Sequence, residues 1–231
     1  LGWWCVDLAF IGLSARVPSH PAAGIDGSGC RYDPAFMPRI IAGTYRSRML
    51  ESVQSLATRP YTDRVKESVF NILQGHIEGS NILDLFSGVG TMGLESISRG
   101  AAQVVCVEQD AKVHAVLQRN IELLGCDVSA EAVRGDALSS TPILRAPRPV
   151  HVIFMDPPFA MMKDDRLRAR VLEQVGRVAE LLDEHGWLVL RTPLSTDHVD
   201  HEVEGLEGPE VRTYKKEHHV LFYAKGGGAS S

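Results

Sequence analysis

From Asn81 to Arg191 the chain alternates short apolar runs with stretches of helical period, and few folds accept that rhythm. The strand candidates are Asn81–Phe86, Gln103–Glu108, Ala130–Arg134, Val150–Asp156 and Trp187–Arg191; the helix candidates are Thr91–Arg99, Ala111–Leu124 and Asp165–Glu184. Strands that are almost continuously apolar are buried on both faces, and the helices between them supply the cover. The expected core is therefore an α/β, mostly parallel sheet with helices on both faces. Val211–Lys216 and His219–Ala224 follow each other with no helix between, which predicts an antiparallel hairpin at the C-terminus. Ahead of the sheet, Val65, Val69, Ile72 and Leu73 share one helical face. Arg39–Leu50 reads as a small β-hairpin turning near Gly43, with Ile40, Ile41, Tyr45 and Met49 as anchors.

Two strand ends carry chemistry. The first is Asp84-Leu-Phe-Ser-Gly88-Val-Gly90-Thr-Met-Gly93, a glycine-rich turn between a strand and a helix. It matches the dinucleotide fingerprint, and Glu108 lies at the end of the next strand, where a ribose hydroxyl would be held. The glycines alone do not separate NAD from S-adenosylmethionine, because either ligand needs a backbone that turns tightly and lies close. Asp84 favours S-adenosylmethionine: a carboxylate there suits the cationic amino-acid end of that cofactor and repels a pyrophosphate. Asp136, after the third strand, can accept a hydrogen bond from an adenine amino group, although helix capping would also explain it. Phe86, Ser87, Gln109 and Ala137 flank these positions and complete the candidate cofactor set with Asp84, Gly88, Gly90, Glu108 and Asp136.

The second strand end is Asp156-Pro157-Pro158-Phe159. An exocyclic base amine is a poor nucleophile, because its lone pair is delocalised into the ring. Methylation needs acceptors that draw the amino hydrogens out of plane and hold the nitrogen in line with the methyl group. The Asp156 carboxylate and the Pro157 carbonyl can be those acceptors, Pro158 stiffens the turn, and Phe159 can stack on an extruded base. An ordinary Asp-Pro turn is the bland alternative. No metal is needed, since a sulfonium is already activated. His185, His198 and His201 lie near one another in sequence, but in a polar, acidic stretch without a fourth ligand.

The 231 residues are 44% hydrophobic and 23% charged, with a net charge of −5, which argues against wholesale nucleic-acid binding. Charge is uneven, however. Between Arg39 and Lys66 six basic residues (Arg39, Arg46, Arg48, Arg59, Arg64 and Lys66) face only Glu51 and Asp63. That segment can contact phosphate while the whole chain stays acidic. Cys5, Cys30, Cys106 and Cys126 form no C-x-x-C pair, which fits a reduced, cytoplasmic protein. The apolar start, Leu1–Leu13, is interrupted by Asp7 and is too short to span a bilayer. Residues 14–36 are rich in Gly, Pro, Ser and Ala, so 1–36 reads as a disordered extension or a mis-assigned start. Residues 226–231 read as a flexible tail.

Together these residues resemble the RsmD-type 16S ribosomal RNA guanine-N2 methyltransferases, from Met37 to about Lys225. The resemblance rests on Met37-Pro-Arg-Ile-Ile-Ala-Gly-Thr-Tyr-Arg-Ser-Arg-Met-Leu50, on Thr58-Arg-Pro-Tyr-Thr-Asp-Arg-Val-Lys-Glu67 with Ser68-Val-Phe-Asn71, on Asp84–Gly93 with Leu94-Glu95, and on Asp156–Phe159. It implies a class I, Rossmann-like fold with a seven-stranded sheet. The methyltransferase domain would span 61–225, and the hairpin extension 37–60 would reach ribosomal RNA; the candidate RNA contacts are Arg39, Arg46, Arg48 and Arg59 in that extension and Arg64 just beyond it. It further implies that Thr62 helps close over the cofactor's amino-acid end, and that Asp156 to Phe159 hold a guanine. Tyr61 departs from the pattern, which usually has a small hydroxyl residue there. The expected partner is 16S ribosomal RNA or a small-subunit assembly intermediate, met by a monomer away from any membrane. A DNA adenine-N6 methyltransferase shares D-P-P-(Y/F), but no target-recognition domain is present here. An NAD-dependent oxidoreductase would leave D-P-P-F unexplained.

Overall fold

The computed structural model describes residues 38–53, 61–215 and 218–226, all within the compact unit Met37–Ser231. The extension 1–36, Arg59 and the tail beyond Gly226 lie outside the described residues.

The sheet is seven-stranded, in the order β3-β2-β1-β4-β5-β7-β6. Its strands are β1 (Asn81–Leu85), β2 (Gln103–Glu108), β3 (Ala130–Arg134), β4 (Val150–Met155), β5 (Leu182–Thr192), β6 (Leu206–Lys215) and β7 (His218–Lys225). The first five pair in parallel; β7 inserts antiparallel between β5 and β6. The helices are α1 (Asp63–Ile72), α2 (Thr91–Ser98), α3 (Ala111–Leu124), α4 (Thr141–Arg145), α5 (Phe159–Lys163) and α6 (Asp165–Ala179).

Side-chain alternation divides the core into two clusters. One contains Ile82, Val104, Val152, Phe154, Val189 and Phe222 packed with α1, α2 and α3. The other contains Leu83, Leu85, Ile153, Met155, Leu188 and Leu190 packed with Val171, Val175 and Val178 of α6. The same alternation places Asp84, Asp156 and Arg191 on the first face, since each lies two residues beyond Ile82, Phe154 and Val189 respectively. The strands that carry them are neighbours, with Asp84 opposite Phe154 and Phe154 opposite Val189.

Several boundaries differ from the sequence reading. Strand β1 stops before Phe86, whose φ of 58° is left-handed and breaks the extended run. Strand β4 stops before Asp156: its amide still donates to the Leu85 carbonyl at 3.3 Å, but the two prolines that follow have no amide to continue the ladder. Helix α6 ends at Ala179 instead of Glu184, because Leu182 pairs with Val150 and begins β5 five residues early. A bulge between Val150 and Val152 absorbs the offset. The N-terminal hairpin is reduced to a loop closed by one antiparallel bridge, Arg39 to Met49.

That loop is docked tightly on α2. Glu95, fully buried, accepts from the Ile41 and Ala42 amides at 2.8 and 3.0 Å. Its carboxylate also pairs with Lys66 at 3.2 Å and Arg99 at 2.8 Å. Ser98 contributes its hydroxyl to the Tyr45 amide and its carbonyl to the Thr44 amide. Gly43 (φ +79°) approaches so closely that an added Cβ would sit 1.7 Å from the Ser98 carbonyl oxygen. Burial lowers the pKa of Lys66, and the Glu95 charge opposes that shift.

Candidate active site

The turn after β1 crosses the sheet end in a chain of backbone contacts. Ser87 donates to the Val107 carbonyl, Gly90 donates to the Ser87 carbonyl, and the Gly88 amide reaches Glu108 Oε2 at 3.0 Å. Gly88 and Gly90 are both left-handed, with φ of +57° and +91°. A Cβ at Gly90 would lie 2.6 Å from Leu117, so this position needs glycine for space as well as conformation. Asp84 is 1% exposed, and its Oδ2 accepts from the Gly93 amide at 2.9 Å, which fixes the start of α2. Burial pushes its pKa up to about 8, against the lowering effect of that amide.

The other candidate cofactor residues line the same edge. Glu108 also accepts from the Asp110 amide at 2.8 Å. Asp136 is exposed, Ala137 is buried, and Gln109 is exposed. Asp136 Oδ1 takes the Leu138 amide at 2.9 Å, so it does serve as a local cap. Thr62 is the N-cap of α1, accepting weakly from the Val65 amide at 3.4 Å. The Ser87 hydroxyl is buried in the glycine turn and has no hydrogen-bond partner among the described residues. An unsatisfied buried hydroxyl is costly, and a polar ligand group at this edge would satisfy it.

At the end of β4, Asp156 meets Arg191 of β5: Nε donates to Oδ1 at 2.5 Å. The Arg191 side chain is 2% exposed and that of Asp156 20%. The guanidinium carbon lies 4.5 Å from the centroid of the Tyr61 ring and 5.1 Å from that of Phe159, within cation–π range of both. His218 of β7 meets Phe159 edge-on at 5.3 Å. Pro157 is buried, and Pro158 is the N-cap of α5, which begins at Phe159. Burial raises the Asp156 pKa, and Arg191 holds the rise back. Burial, then the Asp156 charge, raises the pKa of Tyr61.

The structure thus gathers Asp84, Glu108, the glycine turn and Asp156–Phe159 at the carboxyl ends of adjacent strands, where open α/β sheets bind ligands. Sequence reasoning missed Arg191 and the role of Tyr61. The signal available was an arginine closing the apolar run Trp-Leu-Val-Leu, where a charge needs a partner. Arg46, Arg48 and Arg64 are exposed, and Arg39 pairs with Asp63 at 2.7 Å. Among the described residues, no group of His, Cys, Asp or Glu could hold a metal ion, and no helix is long and apolar enough to cross a membrane.

Residues 38–223 match the family described as Conserved hypothetical protein 95. The chain is 36% identical over 166 residues to Ribosomal RNA small subunit methyltransferase D of Escherichia coli (strain K12), covering 72% of this chain and 75% of that protein. A solved structure of a Thermus thermophilus protein, described as hypothetical, aligns with a TM-score of 0.61 at 26% identity, over 80% of this chain and 97% of the other. An RNA methyltransferase from Salinibacter ruber, solved with S-adenosyl-L-homocysteine, shares the fold at 16% identity and a TM-score of 0.50, over 73% and 94% of the two chains.

Proposed function

Since this chain belongs to the Conserved hypothetical protein 95 family, whose curated relatives carry the name of ribosomal RNA methyltransferases, we propose that it methylates the exocyclic N2 of a guanine in 16S ribosomal RNA. On this reading it is an S-adenosylmethionine-dependent enzyme with the class I methyltransferase fold of its structural relatives. The observation that carries the substrate reading is the adjacency of the two strand ends: the glycine turn follows β1, and D-P-P-F follows its hydrogen-bonded neighbour β4. The names of the relatives support neither a DNA adenine methyltransferase nor an oxidoreductase. We take the enzyme to be cytoplasmic and monomeric, acting on 16S ribosomal RNA or an assembly intermediate.

The residues present fit S-adenosylmethionine. Asp84 supplies a carboxylate, Glu108 a ribose acceptor, Ser87 an unspent hydroxyl, and Gly88 and Gly90 a close backbone; Phe86, Gln109, Asp136, Ala137 and Thr62 border them. When bound, the cofactor supplies an activated methyl group. Asp156 accepts one amine hydrogen and the Pro157 carbonyl the other, so the nitrogen lone pair leaves conjugation and faces the methyl. Phe159 stacks on the guanine. Asp156, or water after release, takes the proton.

Purified protein, radiolabelled S-adenosylmethionine and small-subunit ribosomal RNA or its assembly intermediates should yield N2-methylguanosine on nucleoside digestion. S-adenosylhomocysteine should bind and NAD should not. Label in N6-methyladenine of DNA, or tight NAD binding, would overturn the assignment.

The exposed Arg46 and Arg48 should serve RNA and not cofactor. Changing both to alanine should lower the salt dependence of RNA binding by roughly one unit of slope per lost phosphate contact. Cofactor affinity should stay within about twofold, since no cofactor contact is removed. Loss of cofactor binding with RNA binding intact would reverse the roles.

A further inference from the structure

We propose that Arg191 is a positioning residue for methyl transfer, one guanidinium that fixes both the Asp156 carboxylate and the Phe159 ring. The proposal rests on the reading of Asp156 as the amine acceptor.

Alternation along β5 turns Arg191 onto the same face as Asp84 and Asp156, and it is 2% exposed there. A buried arginine is tolerated only when its charge and its donors are met. Asp156 meets the charge through Oδ1 at 2.5 Å, while the Tyr61 and Phe159 rings lie close to the guanidinium. With Oδ1 held by Nε, the carboxylate is fixed in place, and under the proposal the target amine meets it in that orientation. Holding an acceptor in place before substrate arrives removes the cost of orienting it during reaction. Lysine would keep the charge without the planar fork and the stacking.

The pair also sets the protonation of Asp156, because only the ionised carboxylate can take up the proton that the amine releases. Among the described residues, the groups that interact electrostatically with that carboxylate include Arg191 from β5, Asp84 from β1 and Tyr61 from the segment ahead of α1; Asp84 in turn interacts with Glu108 of β2, Tyr61 with Tyr214 of β6, and the Phe159 ring with His218 of β7. Asp84 can only oppose ionisation of Asp156, and a neutral Tyr61 does not assist it. Arg191 is a cation that favours it.

The test is a carboxyl-carbon NMR titration of Asp156 in the full chain, assigned by its absence in Asp156→Asn, joined to the pH profile of single-turnover methyl transfer. In Arg191→Gln the Asp156 midpoint should rise by about one unit or more, as loss of a close opposite charge implies. The acid limb of the rate profile should rise with it, and the rate at pH 7 should fall at least roughly tenfold. Arg191→Lys should restore the midpoint but still lower kcat at least about fivefold, with KM for RNA within about twofold, because the fork is lost. An unmoved midpoint in Arg191→Gln overturns the proposal. So does a flat rate loss at every pH, which marks a structural pair only. Wild-type kcat in Arg191→Lys also overturns it, and that arm stands even if the glutamine variant does not fold. Should wild-type protein methylate no ribosomal RNA while the titration shifts as expected, the functional reading fails and the charge coupling survives.

Discussion

Asp156→Ala lowers the single-turnover rate by on the order of a hundredfold or more, as loss of a positioned polar group in the transition state does. The carboxylate gains most when the amine nitrogen turns tetrahedral, so its removal acts on the chemical step. Cofactor affinity changes little, since Asp84 and Glu108 hold that edge through the glycine turn. The alanine variant has a second effect, because it strips the charge from beside an Arg191 that is 2% exposed. Removing one member of a buried pair is costly, so its melting temperature has to be measured beside its rate. Asp156→Asn is the cleaner probe. It leaves an acceptor oxygen for Arg191 or for the amine, but it cannot take the proton. Substantial activity in Asn with almost none in Ala would make orientation the role; near-wild-type turnover in Ala would leave Asp156 a turn residue.

What could be read in advance follows from which interactions are local. Strands β1 to β4 were legible because runs such as Gln103-Val-Val-Cys-Val-Glu108 are apolar enough to be buried on both faces, and the glycines and prolines mark their ends. The start of β5 was not. Leu181 and Leu182 continue the period of α6, and only pairing with Val150 pulls Leu182 into the sheet. The short helices α4 and α5 were missed as well, since five residues carry too little periodic signal. The N-terminal loop looks like a hairpin because Gly43 marks a turn between apolar anchors, yet backbone donors of that loop go to Glu95 and Ser98 of α2, more than fifty positions away. At the site, the residues ending strands were visible because their neighbours in sequence fix the turn. Arg191 and Tyr61 were not, since their partners arrive from other strands.

Glu95→Ala is the substitution with the largest expected effect on the fold. Its carboxylate is fully buried and meets two amides of the N-terminal loop, Lys66 and Arg99. Alanine leaves a lysine ammonium at 3% exposure without its counter-charge and two amides without acceptors. Breaking such a pair from one side costs about 3–5 kcal/mol. For a domain of this size that corresponds to a fall in Tm of roughly 6–20 °C. Glu95→Gln retains an acceptor oxygen but no charge, and should fall between alanine and wild type. Hydrogen exchange separates general loosening from local undocking: the amides of Ile41, Ala42, Thr44 and Tyr45 should lose protection first, ahead of those in β1 and β4. That loop carries Arg46 and Arg48, so RNA affinity should fall at temperatures where the sheet is still folded. If Tm and loop protection both survive in Glu95→Ala, the loop is held by Gly43 packing on Ser98, and the carboxylate is a passenger. If protection is lost but RNA affinity is not, the loop's arginines do not form the RNA surface, and the basic residues of α1 become the better candidates.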